Sequence, residues 1–265
     1  MSFILFNLFL VVQAQNDLWS SQKFENQVIT RYNQGEPVSV FNLLLFPNSN
    51  ASSQNISDFQ SKFNSFLDKM IKKKERGINE EKLVSQLFYQ VHRKFLKKYR
   101  EYSVLSDVAA SGSYDCVSGT ALYSILLKAL QIKHKIRETD YHVYILIEGN
   151  EQNYLFESTD PLAGFVNDQE EILARIRMYA EDNGDENEKY FSVVEGGIQR
   201  SVDITQLAGL QYYNLAVESY NQRAFNHSFS YIQKSLILYP TERIKRFYNL
   251  LIETVSFKNL TSQVQ

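Results

Sequence analysis

The stretch CVSGTALYSILLKAL, residues 116–130, constrains the fold more than any other part of the chain. Ala121, Leu122, Ile125, Leu126, Ala129 and Leu130 recur at helical spacing, and Val117 carries the apolar character back into the first turn. A helix with so broad an apolar face has to be buried, with other elements packed around it. At 265 residues, 44% of them hydrophobic and 14% aromatic, the chain can supply one sizeable core or two small ones.

Ser113 or Asp115 can cap this helix, which puts Cys116 in its first turn. Cys116 is the only cysteine, so it can form neither an internal disulfide nor a thiolate zinc cage. A lone cysteine is commonly an inert core thiol. At a helix start, however, the unpaired backbone amides and the helix dipole favour negative charge, so its pKa is expected to fall toward the thiolate form.

Downstream, HVYILIEGNEQNYLFESTDP reads as a hairpin: residues 142–148 and 154–160 are β-rich and flank the polar turn 149–153. Centred on Glu151, the hairpin puts His142 opposite Asp160, with Cβ atoms about 4.5 to 5.5 Å apart. A slip of one residue would put Thr159 or Pro161 there instead. Cysteine nucleophiles need a thiolate, a base and a group that orients the base, and Cys116, His142 and Asp160 supply these in chain order. The oxyanion would meet the Cys116 backbone N–H and a second donor that the sequence does not identify. Singly, each of the three has a structural reading; Asp160 before Pro161, for example, is a good turn former.

A cysteine opening a buried helix, a histidine on a strand 26 residues later and an aspartate ending the next strand 18 residues further on resemble the transglutaminase-like superfamily. The resemblance rests on YDCVSGTALYSILLKAL, HVYILIE and YLFESTDP, and covers roughly residues 80–165. Tyr144 stands where such proteins usually carry Trp two positions after the histidine, and the short Cys–His spacing separates the chain from papain itself. The resemblance implies an α+β fold with a papain-like core, and a cysteine-dependent amide-bond hydrolase or acyl transferase acting on a protein or peptide through a thioacyl enzyme. It implies neither a cofactor nor calcium-dependent cross-linking. Two other readings stand beside it: a catalytically silent peptide- or cell-wall-binding module, and a helical scaffold built on residues 204–257.

The remaining segments set the context. Residues 38–46 read as a short apolar strand or buried segment, 56–100 as two amphipathic helices separated at Gly77, and 103–115 as a loop. Residues 167–180 read as a helix, 181–189 as an acidic loop and 190–195 as a strand. Three helices follow at 204–221, 226–238 and 242–257 and are expected to dock on the preceding domain. Their small residues Ala216, Ser228 and Ser235 resemble the contacts of a single tetratricopeptide-type helix pair, which cannot bury its own face, and a protein partner could use these helices. Expected domains are thus a catalytic unit at 15–200 and a helical extension at 201–265.

Net charge is −2, and the basic run 69–77 alternates with acids as a solvated helix face does, so nucleic acid is not an expected partner. His92, His134 and His227 lack metal-ligand spacing, no metal site is expected, and His134 is expected to be exposed in a turn. The apolar run 3–12 followed by Val-Gln-Ala reads as a signal peptide over residues 1–14, too short for a stable membrane span. Export to the periplasm or the exterior is therefore expected, and a cytoplasmic location if the leader is retained.

Overall fold

A computed structural model describes residues 22–47, 51–181 and 200–262. The expected leader at 1–14, the strand at 190–195 and most of the acidic loop lie outside the described residues. Within them the chain is mixed α+β, with an antiparallel sheet and a C-terminal group of helices.

The first half is helical: α1 (Gln22–Asn33), α2 (Val40–Leu45), α3 (Ser53–Glu75) and α4 (Glu80–Lys94). Helix α3 starts at a capping box between Ser52 and Asn55, and its Phe59, Phe63, Phe66 and Met70 form one buried stripe. Gly77, at φ 76°, makes the break before α4, whose Leu83, Leu87 and Val91 are buried. Of the two readings for residues 38–46 the buried segment holds, as the short helix at 40–45, and the strand does not; residues 105–111 form α5 (Leu105–Ser111) rather than the expected loop. Helix α5 is closed by Gly112 in the left-handed region; two turns carry too little periodicity to register in the sequence. The strands β1 (Lys98–Tyr99) and β2 (Ser113–Tyr114) pair in parallel around it.

Helix α6 (Cys116–Ala129) follows, then β3 (His134–Glu138), β4 (Val143–Glu148), β5 (Asn153–Phe156), β6 (Phe165–Val166), α7 (Gln169–Glu181) and β7 (Arg200–Val202). The five strands form one antiparallel sheet in the order β6-β5-β4-β3-β7. Alternation along β4 sorts the two faces. Val143, Ile145 and Ile147 join the main core with α6, whereas Tyr144 packs with Leu155, Val166 and Ile172 under α7. His134 is not exposed: it opens β3 half-buried, with Nε2 2.8 Å from Ser124 Oγ and Nδ1 3.0 Å from the Ile132 carbonyl.

The chain ends with α8 (Ile204–Asn221), α9 (Phe225–Leu238) and α10 (Glu242–Ser262). Ser228 and Ser235 on α9 donate to the Ala216 and Gly209 carbonyls of α8, at 2.7 and 2.8 Å, so small residues let these helices approach closely. The helices also dock on the rest of the chain. One hydrophobic cluster runs from Val28 through Leu126 and Ile145 to Leu251. Buried Gln211 accepts from the Leu105 N–H (2.6 Å) and donates to the Leu44 carbonyl (3.1 Å). The boundary expected at residue 200 falls inside β7, which pairs with β3. Among the described residues no helix is long and apolar enough to cross a membrane.

Candidate functional site

Asp115 caps α6: its Oδ1 accepts from the Ser118 N–H and hydroxyl, both at 2.8 Å, and its Oδ2 from Asn214 Nδ2 of α8 at 3.1 Å. Cys116 is thereby the first residue of the helix, as its spacing implied. Its backbone carbonyl accepts from Ser158 Oγ at 3.3 Å. Its sulfur accepts from the backbone of Val143, the residue next to His142, and from that of Val117.

The expected lowering of the thiol pKa does not appear. Burial pushes the Cys116 thiol well above its ordinary value, the charges of Asp115 and Glu157 push it further, and the two backbone donors oppose this only in part. The donors at the helix start are local to the sequence, whereas the desolvation and the charge of Glu157 come from the packing. Asp115 itself is raised to about 6, by burial first, against the hydrogen bonds from Ser118 and Asn214.

His142 closes the four-residue turn between β3 and β4: its carbonyl accepts from the Thr139 N–H at 2.8 Å, and its own N–H donates to Thr139 Oγ1 at 3.1 Å. Its ring packs on Tyr144 and Tyr179, at centroid distances of 6.4 and 5.1 Å, on the α7 face of the sheet. The acid that meets it is Glu157 and not Asp160. Imidazole Nε2 and Glu157 Oε2 are hydrogen-bonded.

The reason lies in the register. Glu148 pairs with Asn153 and Ile145 with Phe156, one residue out of step with a hairpin centred on Glu151, and β5 stops at Phe156. The chain then turns through residues 157–164, closed by bonds from Glu157 N to the Gly164 carbonyl and from Gly164 N to the Asp160 carbonyl. Asp160 serves that turn. Its Oδ1 accepts from Leu162 N–H (3.2 Å) and Ala163 N–H (2.8 Å), and its Oδ2 lies 3.9 Å from Arg175 Nη1.

Glu157 is well supported. Thr159 donates to Oε1 from both its backbone N–H (2.8 Å) and its hydroxyl (2.6 Å), and Tyr179 Oη donates to Oε2 at 3.1 Å. Burial pushes the Glu157 carboxyl up, but the hydrogen bond and charge of His142 and the Thr159 donors outweigh it, leaving the group below the ordinary carboxylate value. Gly119 lets the Glu157 loop close on α6: a Cβ there would lie 2.9 Å from Ser158 Cβ and Oγ.

A cleft of about 660 Å3 opens beside the pair, lined among others by Tyr141, His142, Glu157, Arg175, Met178 and Tyr179. The sequence names Cys116 and His142 as candidates and does not point to Glu157, Tyr179 or Asn214. Glu157 was within reach, because a four-residue turn at 149–152 shifts the pairing by one; Tyr179 and Asn214 arrive from distant helices. Among the described residues, no group of three or more His, Cys, Asp or Glu side chains is arranged to hold a metal ion. No protein-family model matches the chain, and no curated protein or solved structure matches it.

Proposed function

We propose that this chain is a transglutaminase-like, cysteine-dependent amide-bond hydrolase or acyl transferase acting on a protein or peptide, with Cys116 as nucleophile, His142 as proton carrier and Glu157 as the acid that orients it. The observation that carries this reading is the buried Glu157 carboxylate on His142 Nε2, next to the Val143 backbone that touches the Cys116 sulfur. With Nε2 committed to Glu157, Nδ1 is the ring nitrogen left to take the thiol proton.

The sulfur attacks the amide carbonyl carbon as its proton passes to His142. The carbonyl oxygen becomes the oxyanion, facing the Cys116 N–H at the start of α6. His142 then returns the proton to the leaving amine, and the C–N bond breaks to give a thioester. Water or an amine resolves the thioester and regenerates the thiol, and that choice decides between hydrolysis and acyl transfer. Because burial holds the thiol protonated, the proton moves during attack rather than resting on His142 beforehand. From the C-terminal helices, Asn214 holds the Asp115 cap at the start of α6.

One observation favours a second reading, a catalytically silent peptide- or cell-wall-binding module: the same raised thiol, which such a module would not need to activate.

The test is iodoacetamide alkylation of Cys116 across pH in the intact chain and in His142→Ala. Catalysis predicts alkylation at neutral pH that drops at least tenfold without His142, since an unassisted thiol raised this far is almost wholly protonated there. Equal, slow alkylation in both proteins sinks the enzyme reading and leaves the binding module.

A further inference from the structure

We infer that Tyr179 is a positioning residue for the His142–Glu157 pair, holding the carboxylate on the imidazole from a separate helix. The inference rests on the reading of His142 and Glu157 as a working pair.

A glutamate in this role poses a problem that an aspartate would not. Its extra methylene adds a rotatable bond, so the carboxylate samples more positions unless other groups hold it. On Oε1 the donors are the N–H and hydroxyl of Thr159, two residues along the same turn. They tie the carboxylate to its own loop but say nothing about which way Oε2 points. Tyr179 Oη, 3.1 Å from Oε2, supplies that direction from outside the loop and leaves the same oxygen facing His142 Nε2. Burial, together with the Glu157 charge, holds the phenol proton firmly in place, so Tyr179 acts as a donor throughout the ordinary pH range.

The ring has a second effect. It lies 5.1 Å from the His142 ring and 4.9 Å from that of Tyr144, so it packs against one side of the pair. The Glu157 side chain is 6% exposed and that of His142 21%. A bond screened in this way exchanges its proton slowly and is worth more than one in water.

Helix α7 does not depend on the hydroxyl for its own position. Ile172 and Ile176 pack under the sheet, Arg175 donates to the Ala163 carbonyl at 3.0 Å, and Gln169 donates to the Asn153 carbonyl at 2.9 Å. Removing one oxygen from Tyr179 therefore takes away its hydrogen bonds to Glu157 and to the Arg175 side chain while the rest of the anchoring of α7 stays in place.

The experiment compares the full chain with Tyr179→Phe, Tyr179→Leu and Glu157→Gln, each with and without His142→Ala for the alkylation readout. It reads the proton on His142 Nε2 by NMR of histidine-labelled protein, together with the alkylation rate of Cys116. A slowly exchanging Nε2 proton is expected in the unaltered chain and should be lost in Glu157→Gln. In Tyr179→Phe, with its circular dichroism unchanged, exchange should quicken and alkylation slow, each by about tenfold, the effect of one hydrogen bond to a charged group. Tyr179→Leu should lose the protected proton altogether. Exchange and alkylation within about twofold of the unaltered chain in Tyr179→Phe would overturn the inference. If alkylation ignores His142 in every protein while Tyr179→Phe still quickens the exchange, the positioning role stands and the amide chemistry falls.

Discussion

Glu157 Oε2 meets His142 Nε2 at the point where the β4–β5 ladder has already ended, so the contact is made by the turns at either side and not by strand pairing. The carboxylate is buried and accepts from three side chains and one backbone N–H, which is what allows a charge to persist there.

Glu157→Gln and Asp160→Asn should therefore behave differently. The first removes the charge that orients His142 and should cut His142-dependent turnover or alkylation by about 100-fold or more, as loss of an orienting carboxylate does. The second keeps an oxygen for the Leu162 and Ala163 N–H groups and should change these rates less than about threefold. Glu157 also sets an acid limb. Its folded pKa lies below its ordinary 4.5, so the pair stabilises the fold above that pH, and the contribution is lost as pH falls through the folded value. Thermal melts below pH 5 should show this loss in the unaltered chain and not in Glu157→Gln.

Gly119→Ala should act on both stability and the site. The added methyl meets Ser158 at 2.9 Å and the Tyr114 ring at 3.3 Å, so the loop carrying Glu157 must move away from α6. Urea unfolding should show a loss of about 1 to 3 kcal/mol, the usual cost of an overpacked contact. Cys116 alkylation should lose its dependence on His142 in step.

His92 and Asp115 give opposite pH slopes. His92 is buried against Phe88, Tyr114 and Tyr123 with both ring nitrogens unpartnered, and burial lowers its pKa to about 4, against the charges of Asp160 and Glu157. Between pH 6.5 and 4 the unfolded chain takes up a proton that the folded one refuses, so stability falls as pH falls. Asp115, raised to about 6, holds a proton in the folded state between pH 6 and 3.8 that the unfolded chain has released, so its contribution grows as pH falls. Each is worth about 3 kcal/mol over its window. His92→Leu should gain stability on going from pH 7.5 to pH 5 and Asp115→Asn should lose it, with the unaltered chain between them in a thermal melt series.

Removing residues 204–262 should abolish cooperative unfolding rather than release a working catalytic unit. Leu207, Ala208 and Leu210 lie in the main core, Asn214 holds the Asp115 cap, and Arg243 Nη2 meets buried Glu138 at 2.5 Å. A point variant tests the same dependence within the full chain. Gln211→Leu strands the Leu105 N–H and the Leu44 carbonyl and should cost about 2 to 4 kcal/mol in urea unfolding.

Local patterns are legible in the order of residues alone. The apolar spacing and capping residues of residues 115–130 defined α6 and set Cys116 at its start, Pro240 and the helical periods around it marked three C-terminal helices, and Gly77 separated α3 from α4. These features depend on neighbours three or four residues away, and such neighbours are written into the chain. The identity of the acid was not legible, because one residue of hairpin register decides it and the turn at 157–164 completes it. Nor was the state of the Cys116 thiol. A helix start draws the pKa down, but the sulfur also lies buried beside the charges of Asp115 and Glu157, and desolvation by elements distant in the chain outweighs the local donors. Periodicity and capping determined the elements; only their packing decided which charged groups face one another and how much water reaches them.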